Sequence, residues 1–114
     1  MQVDRPWNRV VTDPELRRFL HEKLAIIQSE YAPDHIILFG SRARGEARPE
    51  SDIDLILVSG RFRGTKFINR MGRFLQAVRP HRHVDAICYT PEEFEERRQQ
   101  VPMIAEACET GVWL

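Results

Sequence analysis

The spacing of apolar residues at the start of the chain predicts a long amphipathic helix. Apolar positions recur at helical spacing between Leu16 and Ile27, so that one face of the helix would be buried. Asp13 has a side chain that can cap the helix, and Pro14 suits the first helical position. We expect the helix to end near Tyr31, because a proline follows two residues later.

Three short apolar runs further along the chain have the length and composition of buried strands. They are His35–Phe39, Ile53–Val58 and Val84–Tyr89. The polar stretch between the first two, residues 41–51, is predicted to be a loop with room for one helical turn. Two strands that follow each other without a long intervening helix favour a mixed sheet over a purely parallel one.

The remaining segments alternate helices with turns. A helix is predicted over residues 66–79, with an apolar side formed by Phe67, Met71, Phe74, Leu75 and Val78. Thr90 and Glu93 have the spacing of a capping box, which would open a helix over residues 91–99. Pro102 opens a further helix, Gly111 is suited to the left-handed position after its end, and residues 112–114 could form a short edge strand. We therefore expect one α/β (α+β) domain over residues 1–114, with a small mixed sheet packed on one face by helices.

Composition agrees with a soluble domain. Hydrophobic residues make up 42% of the chain and charged residues 30%, and no apolar run could span a membrane. Residues 1–10 lack the apolar core of a signal peptide, and Cys88 and Cys108 stand at no metal-ligand spacing. We expect a cytoplasmic protein with reduced cysteines and no membrane association.

Charge is unevenly distributed although its sum is zero. Residues 42–82 contain ten Lys/Arg and four acids, which suits a site that handles phosphates. Charge alone favours ordinary solvated helix faces, however. Lys66, Arg70 and Arg73 are expected to form such a face rather than to bind nucleic acid, because no aromatic side chains interleave with them.

Three aspartates are the candidates for catalytic chemistry. Asp52 and Asp54 are two residues apart at the start of a strand, so their carboxylates project to the same side. Asp85 lies near the start of the next strand and can face them if the two strands are neighbours. Carboxylates placed together repel, and a divalent cation such as Mg²⁺ resolves that repulsion. Three of them can hold the two metal ions of an in-line displacement at phosphorus.

A candidate phosphate-binding turn lies upstream. Gly40 closes the first strand and lets the backbone approach a phosphate closely, while Ser41 adds a hydroxyl that could cap a following helical turn. Arg42 and Arg44 can neutralise phosphate charge, although either could be a solvated loop residue. Taken without this turn, Asp52 and Asp54 would be better explained as caps or turn formers. His81 and His83 are interpreted as turn residues rather than as a transition-metal site.

These motifs together resemble those of a known superfamily. Gly40-Ser41, ten residues and then Asp52-Ile53-Asp54 resemble the signature of the DNA polymerase β-like nucleotidyltransferases. More narrowly, the segments GSRARG at residues 40–45 and SDIDL at residues 51–55 look like those of the minimal nucleotidyltransferases. The resemblance covers nearly the whole chain in size and element order, and it includes Asp85.

The resemblance implies a nucleotidyltransferase fold and a role for each motif residue. Gly40 and Ser41 would bind the nucleotide phosphates, with Arg42 as a further phosphate contact. Asp52 and Asp54 would ligate Mg²⁺. Asp85 would ligate one of two metal ions and help to activate the acceptor hydroxyl.

The resemblance also implies a substrate and a partner. Minimal nucleotidyltransferases typically pair with a helical HEPN protein as a toxin–antitoxin module. The expected reaction is transfer of AMP from ATP to a tyrosine hydroxyl of that HEPN ribonuclease toxin. Two alternatives remain open: a small-molecule nucleotidyltransferase of the aminoglycoside-modifying type, and an antitoxin that neutralises by binding without catalysis. No direct nucleic-acid contact is expected, and assembly with itself or with a partner stays open.

Overall fold

The computed structural model describes residues 6–114 of the chain. The N-terminal segment in which we expect no signal peptide begins with residues 1–5, which lie outside the described residues. No helix within the described part is long and apolar enough to cross a membrane.

Five helices and four strands follow one another in nearly the predicted order. Their bounds are α1 Pro14–Tyr31, β1 His35–Phe39, α2 Gly40–Arg44, β2 Ile53–Val58, α3 Phe67–Val78, β3 Val84–Tyr89, α4 Pro91–Gln100, α5 Pro102–Thr110 and β4 Val112–Trp113. The helical turn expected after the first strand is α2, and the short final strand is present. Two 3₁₀ turns, Pro6–Arg9 and Gly60–Phe62, complete the described elements.

The four strands form one mixed sheet in the order β3-β2-β1-β4. β1 runs antiparallel to both β2 and β4, whereas β2 and β3 run parallel. The parallel register pairs Ile53 with Val84 and Asp54 with Asp85. The predicted mixed sheet is confirmed, and its register decides which side chains meet at the start of β2 and β3.

Helices cover both faces of the sheet, which corrects the expectation of helices on one face only. Alternate strand residues enter two separate cores, because successive side chains point to opposite faces. Leu55 and Leu57 of β2 share one core with buried residues of α1 and α3. Ile56 and Val58 share the other core with buried residues of α4 and α5.

The local start signals read from the sequence are confirmed. Asp13 Oδ2 accepts a hydrogen bond from the Leu16 N–H at 2.9 Å and so caps α1. Thr90 and Glu93 form both hydrogen bonds of the capping box of α4. Gly111 does end α5, but its backbone is extended rather than left-handed. A Cβ at Gly111 would overlap the carbonyl oxygens of Ala107 and Leu38, so tight packing explains this glycine.

Helix α3 departs most from its predicted pattern. Phe74 and Val78 are buried as expected, but Phe67 is 52% exposed and Met71 36% exposed. Arg70, expected on a solvated face, is buried instead. Its guanidinium donates to the carbonyls of Thr65 and Cys88 and to the Glu93 carboxylate. The first half of α3 therefore presents apolar side chains to solvent and turns an arginine inward.

Candidate active site

Asp52, Asp54 and Asp85 lie together where β2 and β3 begin. Asp54 and Asp85 are direct neighbours in the parallel register, and Asp52 precedes Asp54 by two residues. Side chains two residues apart on a strand share a face, so Asp52 lies on the face of Asp54. The structure thus brings together the three carboxylates that the sequence singled out.

The pKa of Asp54 shows that this arrangement disfavours the charged carboxylate. Burial raises the pKa of the Asp54 carboxyl above its usual value, and the negative charges of Asp85 and Asp52 raise it further. Among residues 6–114, no lysine or arginine forms an ion pair with Asp52 or Asp54. Adjacent carboxylates that no lysine or arginine neutralises by direct contact can bind a cation.

Gly40 is in contact with this group. Its φ of +79° lies in the left-handed region that favours glycine. A Cβ at this position would overlap the Asp54 carboxylate. Gly40 therefore allows the turn after β1 and the side chain from β2 to occupy adjoining space, which joins the two halves of the sequence motif.

Helix α2 begins directly after β1, and Ser41 is its second residue. The N-cap is Phe39, which has an extended backbone and makes no side-chain capping bond. The expectation that Ser41 itself caps the helix is thereby corrected. The cap residue therefore supplies no side-chain acceptor to the first N–H groups of α2, which are the kind of groups that bind anions at helix N-termini.

Arg42 is buried and fully engaged by the protein. Its Nη1 lies 3.1 Å from both carboxylate oxygens of Asp13, and its side chain is only 4% exposed. Its Nε donates to the Ser51 carbonyl at 2.8 Å, and its Nη2 donates to the carbonyls of Arg48 and Pro49 at 3.2 Å. These contacts support a role in holding the loop before β2 rather than contact with a phosphate.

A second arginine holds the same loop from the side of β3. Arg82 Nη1 donates to the carbonyls of Pro49 and Ser51 at 3.0 and 3.1 Å. Its Nε lies 3.3 Å from Glu15 on α1. We give the name loop brace to Asp13, Arg42 and Arg82 and to the carbonyls that the two arginines hold, those of Arg48, Pro49 and Ser51. The brace ends at Ser51, immediately before Asp52.

His83 is a member of the carboxylate group that the sequence interpretation missed. Its Nε2 lies 2.9 Å from Asp85 Oδ1. Ligand atoms of Asp52, His83 and Asp85 all lie within 4.8 Å of one another. The signal was present in the sequence, because His83 and Asp85 have the same two-residue spacing as Asp52 and Asp54.

An open apolar cleft adjoins the carboxylates. Its volume is about 450 Å³, and Asp54 and Asp85 form part of its wall. Its apolar lining comes from β1, β3, α3 and α5 through Phe39, Ala86, Ile87, Cys88, Phe67, Ile68, Met71 and Met103. Ile68 is 83% exposed and Met103 51% exposed. Exposed apolar side chains grouped beside a polar site are typical of a binding surface.

The site therefore combines a strand–turn–helix that positions a glycine against a carboxylate pair with a third acid on the neighbouring strand. A sequence model of the nucleotidyltransferase domain matches residues 20–109. The chain therefore belongs to the nucleotidyltransferase domain family.

Comparison with a solved structure agrees on the fold. A crystal structure from Sulfolobus solfataricus, of a protein described as a "putative nucleotidyltransferase", superposes with a TM-score of 0.50. The two sequences are 24% identical over 84% of each chain. At that identity the likeness supports the nucleotidyltransferase fold and nothing finer. No curated protein matches the chain significantly in sequence.

Proposed function

We propose that this nucleotidyltransferase transfers AMP from ATP to a tyrosine hydroxyl of a helical HEPN-type toxin, and so acts as its antitoxin. The nucleotidyltransferase family itself supports nucleotidyl transfer. The observation that favours a protein acceptor is the exposed apolar cleft that ends at Asp54 and Asp85. The HEPN partner and the toxin–antitoxin role rest on the resemblance of the sequence motifs.

The donor set fits a hard divalent cation. Asp52, Asp54 and Asp85 offer carboxylate oxygens, which are the ligands that Mg²⁺ prefers, and bringing them together without a cation is unfavourable. Bound Mg²⁺ ions, two in our proposal, would supply Lewis-acid stabilisation of charge on the phosphate oxygens. The three carboxylates would hold these ions. Asp85 would also accept the proton of the acceptor hydroxyl, whose oxygen bonds to the α-phosphorus of ATP as the bond to the leaving pyrophosphate breaks.

The turn after β1 is proposed to bind the triphosphate. Gly40 opens α2, and the Ser41 hydroxyl lies one residue further into the helix. Arg42 was expected to contact a phosphate, but the loop brace already occupies its guanidinium. Arg44 is the better basic candidate, because its side chain is 56% exposed and its positive charge acts on Asp54.

The shape and chemistry of the cleft support an apolar protein segment as the acceptor. Phe67, Ile68 and Met71 line the cleft from α3, and Met103 lines it from α5. A polar small molecule such as an aminoglycoside would find few hydrogen-bonding groups on these walls. A tyrosine on an apolar helix could bury its ring there and present its hydroxyl to Asp85.

The direct test mixes the protein with a HEPN-type partner, ATP and Mg²⁺, and looks for added AMP by intact-mass spectrometry. We expect AMP on a tyrosine of the partner, located by peptide fragmentation. The absence of any mass change, with both proteins folded, would refute the protein-acceptor proposal.

A double substitution separates catalysis from neutralisation by binding. Asp52→Asn/Asp54→Asn keeps the shape of both side chains and removes their charge. If transfer is the mechanism, the variant binds the partner and leaves its ribonuclease activity intact. An antitoxin that neutralises by contact alone would still inhibit the ribonuclease after this change.

A surface substitution tests the cleft. Ile68→Asp puts a charge on an 83% exposed side chain and should leave the fold intact. We expect a loss of AMP transfer of at least about tenfold, because a charge in an apolar contact costs more than 1.4 kcal/mol of binding. Ile26→Asp on α1 is the matched control, because this side chain is exposed but does not line the cleft. Equal activity of the two variants would favour a small-molecule acceptor.

A further inference from the structure

Four side chains at the starts of β2 and β3 form a two-by-two arrangement. Asp54 lies beside Asp85 in the parallel register. Asp52 precedes Asp54 by two residues, and His83 precedes Asp85 by two residues. The Ile53 N–H donates to the His83 carbonyl at 3.3 Å, so the pairing of the two strands extends to this level. His83 therefore faces the same side of the sheet as the three carboxylates.

Three members of this arrangement, Asp52, His83 and Asp85, are close enough to share one ion. Their ligand atoms lie within 4.8 Å of one another. Donors around one ion at about 2.1 Å are roughly 3 to 4.2 Å apart, so small side-chain rotations suffice. The separation of His83 Nε2 and Asp85 Oδ1, 2.9 Å, already matches two adjacent coordination positions.

His83 is available for this role because its histidine and arginine neighbours are engaged elsewhere. His81 Nε2 lies 2.6 Å from Glu15, and Arg82 belongs to the loop brace. The described ion pair of His83 is with Asp85 itself, and both side chains are about half exposed. The imidazole thus contacts the carboxylate group and no other described acid.

We propose that His83, Asp52 and Asp85 form a mixed nitrogen–oxygen site that prefers a first-row transition-metal cation such as Mn²⁺ over Mg²⁺. Imidazole nitrogen is a poor ligand for Mg²⁺, which takes oxygen donors, whereas transition-metal cations accept both. The inference rests on the proposed function only in taking these carboxylates to be the metal-binding group. It adds a ligand and a metal preference that an all-carboxylate centre would lack.

The experiment measures metal binding directly, without nucleotide or acceptor. Mn²⁺ is titrated into the full chain and its free fraction is followed by electron paramagnetic resonance, and Mg²⁺ is measured by competition. Pulsed spectroscopy of bound Mn²⁺ then tests for coupling to an imidazole nitrogen. His83→Ala and His83→Gln are compared with His21→Ala, a control on α1 outside the cluster.

We expect nitrogen coupling in the wild-type protein and in the His21→Ala control, and its loss in both His83 variants. Mn²⁺ affinity should fall by at least about tenfold in the His83 variants, the lower end of what even outer partners of a metal site contribute. Mg²⁺ affinity should change much less.

Two results would overturn the inference. One is bound Mn²⁺ without nitrogen coupling in the wild-type protein. The other is an equal loss of Mg²⁺ and Mn²⁺ affinity in the His83 variants, which would make His83 a positioning residue for Asp85. Neither readout depends on AMP transfer, so failure of the proposed function is recognised separately.

Discussion

Two charged regions meet at Asp52, and they differ in whether their charges are paired. In the loop brace, each charge has partners: Asp13 accepts from Arg42, and both arginines donate to loop carbonyls. In the carboxylate group, burial raises the pKa of the Asp54 carboxyl, and the adjacent charges of Asp85 and Asp52 raise it further. Residues of similar charge therefore differ in what they do. The brace supports the position of the loop, and the carboxylate group leaves charge uncompensated for a ligand.

The largest expected effect comes from removing one uncompensated charge. Asp54→Asn should lower nucleotidyl transfer about a thousandfold, if the proposed metal contact contributes about 4 kcal/mol and each 1.36 kcal/mol is tenfold. Stability in urea should stay equal or rise, because a repulsion is removed. Glu50→Gln, an exposed acid in the preceding loop, is the control and should keep its activity. A marked loss of stability in Asp54→Asn would contradict the view that the loop brace, and not the carboxylate group, stabilises the fold.

Removing a charge that is paired within the protein should instead lower the stability of the fold. Arg42→Ala leaves Asp13 buried without its cation, and the loss of one partner of a buried pair costs about 3–5 kcal/mol. Urea unfolding measures this change. Arg44→Ala in the same helix breaks an exposed pair with Glu46 and should cost no more than about 1 kcal/mol. Equal effects of the two substitutions would contradict the assignment of Arg42 to the brace.

Substitutions at two glycines distinguish the effect of backbone strain from the effect of disturbing the carboxylates. Gly40 and Gly64 both have positive φ, at +79° and +86°, so alanine should cost about 1–2 kcal/mol at either position. Only at Gly40 would the new Cβ meet Asp54, whereas nothing lies within 4 Å at Gly64. Gly40→Ala should therefore also lose about a hundredfold in activity, which is the effect of roughly 1 Å of misplacement. Similar kinetics for both variants would show that the contact with Asp54 is unimportant.

The smallest expected effect concerns a paired acid away from the site. Hydrogen bonds with Arg70 and Thr90 outweigh burial and lower the pKa of Glu93 from its usual 4.5. A lowered folded-state pKa contributes stability above the unfolded value, and this stability is lost as the pH falls through the folded value. Glu93→Gln can keep the capping box and should cost less than about 1 kcal/mol at pH 7, because Glu93 is about one-third exposed. The wild type and the variant should converge in acid, and a constant gap down to low pH would exclude the charge as its cause.

Local signals account for what the sequence predicted well. Asp13 with Pro14, and Thr90 with Glu93, act within three residues of themselves, so their partners could be identified without a structure. The strands were found from continuous apolar runs. The proximity of Asp52, Asp54 and Asp85 required one further assumption, that β2 and β3 are neighbours, and the structure meets it.

Long-range pairing explains what the sequence could not give. Arg42 and Asp13 are 29 positions apart, and an arginine in a polar loop looks the same whether it meets a phosphate or a buried acid. Arg70 likewise finds its acceptors on β3 and α4. Phe67 and Met71 fit an apolar helix face, but they stay 52% and 36% exposed even though Phe67 stacks on Tyr89 of β3.

The register of β2 against β3 also has a kinetic consequence. Asp54 and Asp85 are 31 positions apart (85 − 54) and become neighbours only when the two parallel strands pair. Closing a loop of that size to form a parallel pair is slow relative to forming local helices. A refolding chain that has already collapsed and regained helical structure still lacks the proposed metal-binding group. We therefore expect metal affinity to return during refolding only when β2 and β3 pair. An intermediate with β3 unpaired would be compact yet inactive.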